Sequence, residues 1–397
     1  MYQPTEFTSL KTRAAFEAAR ARSWHIAMVL TRSDTIAGVQ VHVRDLSKAL
    51  IARGHQVTVL VGGTGPFLDD LSRNQVPFIS VPSLVRPIDP LRDAAALVHL
   101  RRHFQQLKPD LVSTHSSKAG WLGRLAARSL GLPSTLTSHG WNFTPGIQPR
   151  AAAFRRLAEK IAATFTTRII AVAQYDRELA LSQGVGRPDQ LATIHYGVPT
   201  IPENLHAYPE REPARIIMVA RLDVQKDHPT LFRALSALKK RDWTVELVGD
   251  GPRETQMRQL ASELGIAERI HFAGLQRDVA ERLARSQLFA LTTNYEGFPI
   301  SILEAMRAGL PVIASDVAAV RESVEDGRTG LVVPARDVPA TTAALDKLLS
   351  SGELRQQMGL AGRRSFEERF TFEKMVDATV AVYREAIEER QSAVARR

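Results

Sequence analysis

Two acids eight positions apart stand in the segment Asn294-Tyr295-Glu296-Gly297-Phe298-Pro299-Ile300-Ser301-Ile302-Leu303-Glu304-Ala305, directly after the apolar run Leu288–Leu291. The run reads as a buried strand and the segment as a turn entering a helix. Gly297 permits a tight turn, and Pro299 suits a first helical position, where its missing N–H costs nothing. The amides from Phe298 through Ile300 to Ser301 then form a helix N-terminus, an electrostatically favourable seat for a phosphate or for sugar hydroxyls. Glu296 projects from the loop, while Glu304 sits ~7 Å further along the helix at ~1.5 Å per residue, in reach of a different part of an elongated ligand. Carboxylates pair well with vicinal hydroxyls. The plainer alternative is a capping acid followed by a solvated helix acid.

A second segment, Val219-Ala220-Arg221-Leu222-Asp223-Val224-Gln225-Lys226-Asp227, places two cations at the mouth of a strand. Arg221 offers a planar fork and Lys226 a point charge, a pair able to clamp a diphosphate and stabilise a departing anion. The alternative is two surface bases bridged to Asp223 and Asp227. Gly249-Asp250-Gly251-Pro252 closes the strand Thr244–Val248, and its glycines, Gly249 and Gly251, allow a close backbone approach to a ligand. Gly38 opens a helix after the first strand and is a candidate phosphate-approach residue. His115 and His139 end successive strands at the expected cleft rim of the first domain, and His139 is the favoured functional residue. Gly63-Thr64-Gly65 lacks the third glycine of a dinucleotide fingerprint, which argues against a nicotinamide site. No Asp-x-Asp occurs in the chain, so charge neutralisation by Arg and Lys is expected in place of a metal, with no cofactor beyond the substrates.

These residues must be held by a scaffold, and the pattern supplies one. Apolar runs alternate with helical stretches: His25–Leu30, a helix from Val39 to Arg53, Gln56–Val61, a helix from Leu91 to Leu107, Leu111–Thr114, Ser134–Ser138, Arg168–Ala173 and Ala192–His195. Pro199, Pro202, Pro209 and Pro213 crowd a linker, and the alternation restarts with Arg215–Val219, Thr244–Val248, Ile270–Phe272, Leu288–Leu291 and Val312–Ala314. This is the rhythm of βαβ units and parallel sheets, which bind ligands at strand C-termini. The expected organisation is an extension at 1–23, a first domain at 24–205, a second domain at 206–372 and a helix at 373–397 crossing back to the first domain. The extension is read as a frayed tail or a short amphipathic helix.

The chain has 397 residues, 44% hydrophobic and 24% charged, the balance of a globular protein with room for two domains of ~200 residues. The absence of cysteine excludes disulfides, thiolate metal sites and cysteine nucleophiles, and a reducing cytoplasm is the natural reading. No run approaches the ~18 apolar residues of a membrane span, and the N-terminus has no apolar core for a signal peptide. Residues 1–205 hold 24 Lys+Arg against 14 Asp+Glu, whereas 206–397 hold 28 of each, so the whole excess of +10 lies in the first half. Either a negatively charged partner, which could be nucleic acid, an anionic membrane surface or a phosphorylated substrate, or a plain solvated basic surface accounts for it. With only 6% aromatic residues and no recognised motif, nucleic acid is the weakest candidate.

Taken together, these residues resemble the retaining glycosyltransferases of family 4, over about Trp24–Tyr383. The most specific element is the pair Glu296 and Glu304, supported by Arg221 with Lys226 and by Gly249-Asp250-Gly251-Pro252. The family's N-terminal glycine pair is half kept, with Ala37 in the first place and Gly38 in the second. The resemblance implies the GT-B fold, two Rossmann-like doubly wound domains facing a cleft. It also implies roles: Glu296 on the donor sugar, Glu304 on the ribose, Arg221 and Lys226 on the diphosphate. The stretch His139-Gly140-Trp141-Asn142-Phe143-Thr144-Pro145-Gly146 resembles members that build capsular or exopolysaccharides, where the histidine lies near the donor sugar. The implied partners are a nucleotide-sugar donor and a glycan or lipid-diphosphate-linked acceptor.

A retaining enzyme of this kind delivers its acceptor to the face from which the nucleotide leaves. Arg150, Arg155, Arg156 and Lys160, beside Phe154, Leu157 and Ile161, form a plausible face for an anionic membrane at the inner side of the cell. The rival readings are a sugar-nucleotide epimerase, a non-catalytic nucleotide-sugar-binding subunit of a polysaccharide assembly complex and a nicotinamide oxidoreductase.

Overall fold

The computed structural model describes residues 23–144, 149–238 and 240–395, with the side chains of 149–151 and 393–395 outside the description. The reading of the N-terminal extension therefore lies outside the described residues, as do Pro145, Gly146 and the Arg150 side chain.

The first sheet is built from β1 (His25–Leu30), β2 (Gln56–Gly62), β3 (Phe78–Val81), β4 (Leu111–Thr114), β5 (Ser134–Ser138), β6 (Arg168–Ala171) and β7 (Leu191–Thr193). Its order is β3-β2-β1-β4-β5-β6-β7. The second comprises β8 (Ala214–Val219), β9 (Trp243–Val248), β10 (Ile270–Gly274), β11 (Leu288–Leu291), β12 (Val312–Ser315) and β13 (Gly330–Val333), in the order β10-β9-β8-β11-β12-β13. Ile26 pairs with Val57 on one side and Leu111 on the other, both in parallel register. In the second sheet Ile216 pairs in parallel with Val245 and with Leu288. Such strands are covered on both faces, which is why Ile26–Leu30 and Leu288–Leu291 are apolar without alternation and fully buried.

Each sheet is doubly wound. The order reverses between β1 and β4 and again between β8 and β11, so the loops leaving those neighbouring strands diverge and open a crevice at their C-terminal ends. Every strand expected from the pattern is present, with no end more than two residues from its expected place. The two strands that the pattern did not single out, β3 and β13, are four-residue edge strands with half-buried faces, too short and too mixed to stand out from loop.

The chain divides into two compact units. One takes in the residues up to Thr137, Ala158–Ile169 and the chain from Val382; the other takes in Ser138–Leu157 and Ile170–Ala381. The first unit packs Val29, Leu60, Leu100, Phe104 and Val112 into one core and buries Arg124 against Glu159 at 2.7 Å. In the second, Arg355 is fully buried and donates to the carbonyls of Pro209, Leu348 and Arg211 and to Glu212. That guanidinium ties the linker to the helix Gly352–Arg369.

Candidate active site

In the second unit the reversal point between β8 and β11 is where the sequence-selected residues meet. The loop leaving β8 lies along the loop leaving β11: the Asp227 amide donates to Thr292 O at 3.0 Å and the Asn294 amide to Gln225 O at 2.8 Å. Side chains tighten the contact, with Gln225 Nε2 donating to Tyr295 O at 2.8 Å and Asn294 Nδ2 to Val224 O at 2.9 Å. The result is an ion pair between Lys226 Nζ and Glu296 Oε1 whose side chains are only 15% and 7% exposed. Glu296 also accepts from Thr293 Oγ1 at 2.8 Å and from Gln225 Nε2 at 3.4 Å. Arg221 stands at the mouth, 67% exposed and 3.8 Å from Asp223, too long and too wet a contact to hold it. Asp227 is not a partner for either base; it caps the helix His228–Ser236 through the Thr230 amide and hydroxyl. A buried cation held by an acid, with an exposed guanidinium beside it, is a site prepared for negative charge.

The glycine turn after β9 closes over the same loop. Gly249 has φ of +137°, and a Cβ there would lie 2.2 Å from Ala220 O; one on Gly251 would lie 2.3 Å from Leu222 O. Leu222 and Asp250 are joined by a 2.8 Å backbone bond. The close approach that these glycines permit in this structure is to the chain's own Arg221 loop, which they hold in place.

The His139 loop belongs to the same unit and lies against the Glu296 loop. A Cβ on Gly297 would meet His139 O at 3.0 Å and Gly140 Cα at 3.7 Å, so Gly297 serves this contact as well as its turn. His139 Nδ1 is hydrogen-bonded to the Tyr196 hydroxyl, and the two rings stack at 5.7 Å and 13°. Burial first, and then the charge of Asp176, push the Tyr196 phenol far up. The hydroxyl therefore stays protonated and keeps a proton to donate to the ring.

Phe298 joins this cluster, its ring 4.9 Å from His195, 5.9 Å from Phe370 and 6.5 Å from Tyr196. Its side chain is an anchor of the loop. Pro299 occupies the cap position, one residue ahead of the helix Ile300–Ala308, and the first return bond is Ile302 N to Pro299 O at 3.1 Å. The amides of Ile300 and Ser301 remain as helix-terminal donors. One turn on, the half-buried Glu304 has no hydrogen-bond partner among the described residues, and burial raises its pKa against the opposing pull of Arg307. Arg307 donates to Pro199 O at 2.7 Å.

Sequence reasoning did not single out Glu322 or Asp176. Glu322 accepts from the amides of Gln174 and Tyr175 at 2.7 and 2.8 Å and lies 2.7 Å from His195 Nε2. Burial would raise its pKa, but the His195 bond and the two amides outweigh it and hold the carboxyl below its usual range. Asp176, on the helix that Glu322 caps, is 2% exposed with Oδ2 unpaired, while its carbonyl accepts from Trp141 Nε1 at 2.8 Å. Burial, followed by repulsion from Glu322, lifts the Asp176 carboxyl from 3.8 to about 7. Across that interval the native state holds a proton which the unfolded chain has released, so Asp176 lowers stability as pH rises. Asp176→Asn is therefore expected to raise the melting temperature at pH 8 and much less at pH 5, with an upper bound of about 4 kcal/mol. Equal shifts at the two pH values would contradict this.

In the first unit, Gly38 is the exposed first residue of the helix Gly38–Ala52, after Ala37 at the cap. His115 is fully buried, bonded to Ser113 at 3.0 Å and 5.6 Å from the His42 ring. Burial pushes both imidazoles well down, His42 to about 4, which leaves them neutral. Among the described residues no helix is long and apolar enough to cross a membrane.

Comparison with known proteins places two family models end to end on the chain: "Glycosyltransferase Family 4" on residues 36–201 and "Glycosyl transferases group 1" on residues 203–365. An Escherichia coli UDP-Gal:alpha-D-GlcNAc-diphosphoundecaprenol alpha-1,3-galactosyltransferase is 28% identical, over 82% of this chain and 88% of its own length. The putative glycosyltransferase EpsD of Bacillus subtilis (strain 168) is 27% identical over 75% of this chain and 83% of its own. Among solved structures, a glycosyltransferase from Rickettsia africae ESF-5 superposes with a TM-score of 0.80 at 20% identity, covering 92% of this chain and 99% of that one. Anabaena HepE in complex with UDP and glucose superposes with a TM-score of 0.76 at 20% identity, covering 90% and 98%. At such identity the two structures speak for the fold alone, and that fold is GT-B.

Proposed function

We infer that this chain, which belongs to the family 4 and group 1 glycosyltransferases, moves a hexose-type sugar from a nucleoside diphosphate to a glycan or lipid-linked acceptor with retention, in cell-surface polysaccharide synthesis. The observation that carries the reading is the buried Lys226–Glu296 pair beside the exposed Arg221. When the donor's C1–O bond breaks, negative charge develops on the diphosphate. Arg221 and Lys226 meet it with preorganised positive charge and no metal, which is the largest contribution a site of this kind makes. Glu296 then turns to the sugar, Glu304 to the ribose hydroxyls and the Ile300 and Ser301 amides to the phosphates. His139 faces the sugar. The acceptor oxygen forms its bond to C1 on the face the diphosphate leaves, and its proton passes to the departing diphosphate.

The name of one relative favours a uridine nucleotide and a lipid diphosphate: it takes UDP-Gal and a diphosphoundecaprenol acceptor. A cytoplasmic enzyme working at the inner membrane face fits such an acceptor. The helix Pro149–Ala163 exposes Phe154, Leu157 and Ile161 at 66%, 57% and 51%, in company with Arg155, Arg156 and Lys160. Arg156 is partly committed to Gln183 at 2.7 Å. Sedimentation with anionic vesicles is expected to pull the protein down at low salt and progressively less as salt rises. No binding at low salt would remove the membrane from this reading.

Calorimetry with UDP, GDP and ADP tests the donor site. One nucleotide is expected to bind selectively, and Glu304→Ala to weaken it by ~10-fold or more, the worth of a charge-assisted bond. Unchanged affinity in that variant would take the ribose from Glu304. If none of the three bound at millimolar concentration, the catalytic reading would fall.

A further inference from the structure

We propose that the second unit carries another anion site, apart from the Lys226–Glu296 junction, and that it takes a phosphorylated sugar. A cavity of about 390 Å³ opens between the linker segment Asn204–Arg215, the helix Val279–Ala284 and the residues just before β11. Three guanidiniums line it: Arg211, Arg215 and Arg285. Gln287 ties together the main chain at Arg215 and Arg285. Its amide donates to Arg215 O at 2.8 Å, its Oε1 accepts from the Arg215 amide at 3.0 Å, and its Nε2 donates to Arg285 O at 3.4 Å.

The side chains of Arg215 and Arg285 have no carboxylate partner among the described residues. Neighbouring arginines do: Arg282 holds Asp278 at 2.9 Å and Arg355 holds Glu212 at 2.6 Å. Glu212 is thereby spent, and Glu281 is the other acid on the cavity wall. His206 adds no charge. Burial, and then Arg363, hold its pKa below the usual value, and its Nδ1 is 3.0 Å from Arg363 Nη1. Arg211 lies over the Tyr208 ring at 4.0 Å, which orients the third fork. With Glu281 the one acid of the wall not paired to an arginine among the described residues, the wall keeps an excess of positive charge, and a phosphate monoester is the group that guanidinium forks bind in pairs. Asn204 and Glu281 offer acceptors for hydroxyls. The volume lies at the small end of ligand pockets, which suits a hexose phosphate better than a nucleotide sugar.

This site lies at the opposite end of the sheet from the junction. Arg215 is the second residue of β8 and Arg221 follows its end, six residues on and about 20 Å away at ~3.3 Å per residue.

The test is calorimetric titration of glucose 6-phosphate, mannose 6-phosphate and inorganic phosphate, at up to ~5 mM, into the full chain, Arg215→Ala/Arg285→Ala and Lys226→Ala. A hexose phosphate is expected to bind the full chain and Lys226→Ala alike, and to lose ~10-fold or more in the double variant. Both guanidiniums are exposed, so an unchanged melting temperature is expected to show that the double variant is folded. Absence of binding, binding unaffected by the double variant or binding lost in Lys226→Ala would overturn the site. Inorganic phosphate binding as tightly as the hexose phosphates would overturn its sugar specificity.

Discussion

Lys226→Ala is expected to lower sugar transfer by on the order of 100-fold, the loss that follows removal of one preorganised charge at a reacting oxyanion. It is also expected to lower the melting temperature, for a reason visible in the ion pair. Glu296 is 7% exposed, and without the ammonium it keeps only the Thr293 hydroxyl and the Gln225 amide. A carboxylate stranded in that way costs about 3–5 kcal/mol when its partner is removed. Adding Glu296→Gln removes the stranded charge, so Lys226→Ala/Glu296→Gln is expected to recover the melting temperature without recovering transfer. Arg221→Ala is the complementary case: its side chain is 67% exposed, so stability should hold while transfer falls. Turnover near that of the parent chain in either single variant would sink the assignment of these two cations.

Gly249→Ala is expected to damage both stability and transfer. At φ of +137° an alanine is strained in any surroundings, and its Cβ would stand 2.2 Å from Ala220 O, with backbone on both sides of the contact. Backbone strain of about 1–3 kcal/mol adds to about 1–3 kcal/mol for forced repacking. The segment that must move carries Arg221, so transfer should fall with stability. Gly274→Ala is the matched control, because φ there is +68° and a Cβ meets nothing within 4 Å. A loss of about 1 kcal/mol is expected for it. Equal melting temperatures for the two variants would show that the Ala220 contact has no energetic weight.

Both predictions draw on residues that the sequence marked, but they rest on contacts that it did not contain. Gly249 and Gly251 read as glycines for a ligand; in the folded chain they make room for Ala220 and Leu222. Phe298 and Pro299 read as part of a phosphate seat through the backbone; that the Phe298 ring packs among His195, Tyr196 and Phe370 was not legible. Arg221 and Lys226 read as a matched pair of cations; one is bound to a buried acid and the other stands in solvent. Glu322 gave no sign of its place, since its partners Gln174, Tyr175 and His195 lie more than a hundred positions earlier.

Unbroken apolar runs, the turn chemistry of glycine and proline and the return of helical spacing between runs act over a few residues. They were therefore enough to specify strands, helices, the restart after the linker and the acids and bases held on the loops. Which loops meet depends on sheet order. Lys226 reaches Glu296, 70 positions away, because β8 pairs with β11, and that choice arises from burying both faces of the strands under helices. Long-range packing set the partners, and with them the charge state of the site.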